Sequence, residues 1–91
     1  MAAIKNGEEV TVGTNEVIYI FEDAANMEKP ITPIFVEVTS DNVQLSVGEA
    51  IVAAHRSWPS GSKVPLSINQ GAGFTLRAKG SVSTAKIVVT Y

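Results

Sequence analysis

The chain has 91 residues, no cysteine, one histidine and a net charge of −2, with 45% hydrophobic residues and a mean hydropathy of +0.18. This length makes one domain, spanning residues 1–91, and a chain so short buries only about 60% of the surface its unfolded form exposes. Disulfides are excluded and a structural zinc site lacks ligands, so subunit association is the expected support for a modest core.

The opening residues, MAAIKNGEEV, hold no apolar run of signal-peptide length, and no stretch approaches the about 20 residues of a membrane-spanning helix. The expectation is cytoplasmic synthesis, with no signal peptide and no membrane partner. EEVTV, residues 8–12, reads as a weak strand, closed by the turn residues Gly13, Thr14 and Asn15. EVIYIFE, residues 16–22, is apolar on both faces, with Val17, Tyr19 and Phe21 on one and Ile18 and Ile20 on the other. A strand apolar on both sides needs a second cover, which makes Ile18 and Ile20 candidate subunit-contact residues.

Residues 23–33, DAANMEKPITP, lack the alternation, and Pro30 and Pro33 cannot donate ladder hydrogen bonds, so a loop or arm is expected there. IFVEV (34–38), VQLSV (43–47), AIVAA (50–54), VPLSI (64–68), FTLRAK (74–79) and AKIVVTY (85–91) complete the set of strands. Alternation sends Val43, Leu45 and Val47 inward, then Val64, Leu66 and Ile68, then Phe74, Leu76 and Ala78, then Ala85, Ile87 and Val89. Turn signals such as Ser40-Asp41-Asn42, Gly48-Glu49, Ser60-Gly61-Ser62 and Gly71-Ala72-Gly73 recur mostly every 8 to 12 residues. The fold expected is all-β, a compact antiparallel β-sandwich of jelly-roll or immunoglobulin-like type with seven to eight short strands.

No motif carries catalysis or cofactor binding. His55 is the only base for a nucleophilic arrangement, every acid lies before residue 50, and no GxSxG elbow is present. The nine carboxylates fall mostly in turns and strand ends, and Glu22-Asp23 and Asp41-Asn42 fall short of a calcium loop. Gly71-Ala72-Gly73 leads into a strand and lacks the helix N-terminus of a phosphate site. The expectation is a non-enzyme with no cofactor and no metal.

Charge is divided along the chain. Residues 1–49 hold all nine acids and two lysines, a net −7, while residues 50–91 hold five cations and no acid. Five cations spread over that length with few aromatics do not make a nucleic-acid surface. Two readings remain: strands from the halves alternate in space and mix their charges, or one subunit's acidic face meets its neighbour's basic face. The stretch HRSWPSGSK, residues 55–63, joins two expected strands and reads as a loop. Within it His55, Arg56 and Trp58 are candidate partner-contact residues, with Trp58 either an exposed anchor for a protein or sugar or a lid over the open end of the core.

From residue 43 onward, VQLSVGEA, VPLSINQGAGFTLRAKG and AKIVVTY resemble the small all-β virion proteins of tailed bacteriophages, over about half of the chain. The resemblance implies a strand leading into a Gly-Glu turn, a hairpin formed by the PLSINQGAGFTL stretch, and a short final strand. It implies a capsid decoration (cement) protein residing in the virion, bound to the major capsid protein or another virion protein. A homo-oligomer, with a trimer favoured, is the expected state. No heptad or collagen-like stalk is present, which favours decoration over a fibre or tail component. The alternative from another class is a carbohydrate-binding or adhesive module of a fibre or tail, using the 55–63 loop.

Overall fold

A strand apolar on one face must lay that face on another layer, and here two sheets supply it to each other. The structure is a computed structural model that describes residues 2–21, 32–68 and 75–91. Among these, nine strands occur and no helix: β1 (Ala2–Ile4), β2 (Glu9–Thr11), β3 (Val17–Phe21), β4 (Thr32–Ser40), β5 (Val43–Val47), β6 (Ser57–Trp58), β7 (Lys63–Ile68), β8 (Thr75–Gly80) and β9 (Lys86–Thr90). One sheet has the order β1-β3-β8-β5-β6 and the other β2-β9-β4-β7.

Alternation decides what faces inward. Tyr19, Phe21, Val43, Leu45, Leu76 and Ala78 from the first sheet meet Ile34, Val36, Val38, Val64, Ile87 and Val89 from the second, all buried. Ile4 and Val12 join the same cluster, and Tyr91 closes it at one end. Its ring meets Phe21 edge-on at 5.0 Å, and its hydroxyl donates to the Ile4 carbonyl at 2.8 Å. Tyr91 is half-buried, and such a bond keeps its hydroxyl paired where it is shielded from water. The free edges are blunted: β1, β2 and β6 are two or three residues long, and edge strand β7 carries Pro65.

The all-β sandwich expected from the sequence is the fold observed, with five differences. The β1–β3 pair is parallel, whereas every other pair is antiparallel. The described strands number nine, because β1 and β6 are too short to show alternation. Residues 50–54 are no strand; they lie in an irregular segment, where the Ile51 and Val52 amides bond side chains instead of a ladder. β4 begins at Thr32 and includes Pro33, a position beyond Phe35↔Thr90, the last pairing of β4 with β9. Finally, β7 and β8 form no hairpin: β7 pairs with β4, while β8 lies in the other sheet between β3 and β5. The loop or arm expected at 23–31, the turn at 69–73 and inward-facing Phe74 lie outside the described residues.

Candidate functional site

Each sequence-derived candidate occupies the five-stranded sheet or its margin. Between β5 and β6, residues 48–56 leave the sheet at Gly48, whose φ of +77° is left-handed backbone that glycine adopts without strain. They then return across the sheet's outer face as a strap. The Glu16 carboxylate accepts a hydrogen bond from the Ile51 amide, although Glu16 stands at the start of β3, two strands away. The Gln44 side-chain amide donates to the carbonyls of Val52 (3.3 Å) and His55 (3.0 Å). Ser46 of β5 points away from the core and is nonetheless buried.

Beneath the strap, Glu16 and Arg77 form an ion pair with Oε2 and Nη1 2.8 Å apart, each side chain about a quarter exposed (27% and 25%). Glu16 is held below the usual carboxylate range, first by the Ile51 amide it accepts and then by the Arg77 hydrogen bond, with the Lys79 charge adding to these. On the opposite side, burial raises the Tyr19 hydroxyl above its ordinary value.

His55 is bonded inside the strap. Its Nδ1 accepts from the Val52 amide at 2.9 Å and its own amide donates to the Val52 carbonyl at 3.0 Å, so residues 52–55 close a turn. Nδ1 as an acceptor leaves the proton of the neutral ring on Nε2, which faces Glu49 at 3.9 Å. Trp58 pairs with Val43 across β5 and β6, is half-buried, and packs against the core. Arg56 lies over its ring, 4.1 Å from the centroid. One side of the indole thus meets the core and another meets a guanidinium, so the ring sits where a lid would.

Ile18 and Ile20 stand on the outer face of β3, opposite Arg77 and Thr75 of β8. Ile18 is half-buried and Ile20 is 38% exposed. The second cover expected for this strand is not a further layer of the described residues. The structure brings His55, Arg56 and Trp58 together and leaves Ile18 and Ile20 apart from them.

The charge halves meet within the chain. Glu16 pairs with Arg77, Glu9 with Lys86 at 3.9 Å, and Glu37 of β4 stands opposite Lys63 of β7. In both sheets, strands from residues 1–49 alternate with strands from residues 50–91 apart from β1 beside β3, which is the mixing reading.

Sequence reasoning passed over Phe35. It is 49% exposed on the outer face of β4, flanked by Pro65 of β7 and Thr90 of β9, and lines a shallow depression with Lys63 and Thr90. The signal was present in IFVEV, since Ile34, Val36 and Val38 inward require Phe35 outward. Among the described residues no group of three or more His, Cys, Asp or Glu side chains could hold a metal ion, and no helix is long and apolar enough to cross a membrane. Comparison of the chain with protein-family models, curated proteins and solved structures finds no match.

Proposed function

We propose that this chain is a non-enzymatic structural protein of a virion, a decoration (cement) protein that binds a phage head lattice through the major capsid protein, itself associated as a homo-oligomer with a trimer favoured. The observation that carries the reading is Phe35, which stands half in solvent on the outer face of the hydrogen-bonded four-stranded sheet. A lattice contact calls for a stiff body with an apolar contact surface, because rigid groups lose little entropy on binding. The resemblance of residues 43–91 to small phage virion proteins points the same way. An adhesive module of a fibre or tail gains less support, since Arg56 occupies a face of the Trp58 ring that a sugar would need.

The test is cosedimentation of the purified chain with phage heads assembled from major capsid protein. Saturable binding at a fixed number of copies per capsomer, weakened in Phe35→Ser, is the expected result. Absence of binding at any concentration, with no gain in head stability, overturns the proposal. Light scattering reads the assembly state directly, as three times 9.6 kDa or as 9.6 kDa alone.

A further inference from the structure

We propose that the 48–56 strap is an acid-released latch: ionised Glu16 ties the strap to the outer face of the five-stranded sheet, and protonating it frees the Ile51 end and unpairs the Arg77 guanidinium. Glu16 is the joint between two bodies. One carboxylate oxygen accepts from the strap through the Ile51 amide, and the other accepts from the sheet through Arg77. Protonation removes the ion pair and weakens both acceptors, since hydrogen bonds to an ionised group are about twice as strong as neutral ones. Among the described residues the buried Nε of Arg77 has no partner, so the carboxylate is the contact that keeps this guanidinium in place.

The charged groups around the joint reinforce it. Arg77 and Lys79 of β8 favour the ionised carboxylate, while the strap offers the neutral Ile51 amide, with Glu49 and His55 further along. The second fastening, from Gln44 to the Val52 and His55 carbonyls, carries no titrating group. Acid therefore releases the first half of the strap and leaves the second attached. The released half carries Ile51, half-buried in the latched state, with Glu49 and Ala50 already exposed beside it.

The sign follows from the direction of the shift. A carboxyl held below its ordinary value of 4.5 stabilises the latched state fully above that value, and the contribution is lost as pH falls through the lower folded-state value.

Amide hydrogen exchange, corrected for its intrinsic pH dependence, tests the latch. Between neutral pH and pH 3, protection of the Ile51 amide is expected to fall by about tenfold, because a hydrogen bond to an ionised acceptor is roughly twice as strong as one to a neutral acceptor. Protection of the Val38 amide, bonded to the Ser62 carbonyl, and of the Gly80 amide, bonded to the Gly13 carbonyl, is expected to stay constant. In Glu16→Gln the Ile51 amide is expected to exchange fast at every pH, with Val38 and Gly80 still protected. Protection of Ile51 that is unchanged with pH, or that falls only together with Val38 and Gly80, overturns the latch. So does the same acid response in Glu16→Gln as in the wild type.

Discussion

At the scale of single residues, Gly80 does more than its place in a Lys-Gly-Ser turn suggests. It ends β8, its amide donates to the Gly13 carbonyl at 2.8 Å, and a Cβ built on it would lie 2.5 Å from that carbonyl oxygen and from the Ala85 Cβ. Neither obstacle is a flexible side-chain tip, so Gly80→Ala must push two chain segments apart. Gly61 is the contrast, with a φ of +92° and nothing within 4 Å of its missing Cβ, so Gly61→Ala meets backbone strain alone. Overpacking of this kind costs typically about 1–3 kcal/mol, and each kcal/mol lowers Tm by about 4–8 °C in a domain this small. Thermal unfolding is expected to show Gly80→Ala as the more damaging of the two and to lose the Gly80 amide's protection. The sequence could not single Gly80 out, because the Gly13 carbonyl it packs against is far from it along the chain. Phe35 is the opposite case, legible from its two neighbours alone.

At the scale of elements, alternation located the strands whose inward residues build the core, and failed where length or pairing ruled. AIVAA has the composition of a strand, yet the partners of β5 are β8 and β6, and residues 50–54 cross the sheet instead of joining it. What fixes that path is side-chain chemistry at Glu16 and Gln44, remote in sequence and invisible to periodicity. The two-residue β6 is likewise silent in the sequence, although it places Trp58. If β6 exists to set that ring on the core, Trp58→Ala removes packing and the edge pair together, whereas Arg56→Ala removes only an exposed cation–π contact of about 0.5–1 kcal/mol. Denaturant unfolding is expected to rank Trp58→Ala well below Arg56→Ala in stability. Equal midpoints for both variants and the wild type would make the indole a free contact anchor.

At the scale of the whole molecule, the chain passes from one sheet to the other at every connection between successive strands except β5 to β6, so neighbours in sequence are seldom neighbours in a sheet. That alternation is why the charge halves interleave, and it changes what salt should do. The pairs Glu16–Arg77 and Glu9–Lys86 lie inside the chain, and exposed pairs contribute only about 0–1 kcal/mol each. Raising salt shortens the Debye length from about 10 Å at 0.1 M to about 3 Å at 1 M, which weakens these pairs without touching apolar contacts. The folded chain is therefore expected to lose a little thermal stability between those concentrations, while any self-association through outer faces persists. Ile20 and Phe35 then report which face is used, because they are exposed on opposite sheets and neither belongs to the buried core. Sedimentation of Ile20→Lys and Phe35→Lys across the salt series separates the cases. Dissociation by Ile20→Lys alone places the self-contact on β3, dissociation by Phe35→Lys alone places it on β4, and an oligomer that falls apart in 1 M salt with both residues intact would show that charges outside the intrachain pairs hold it together.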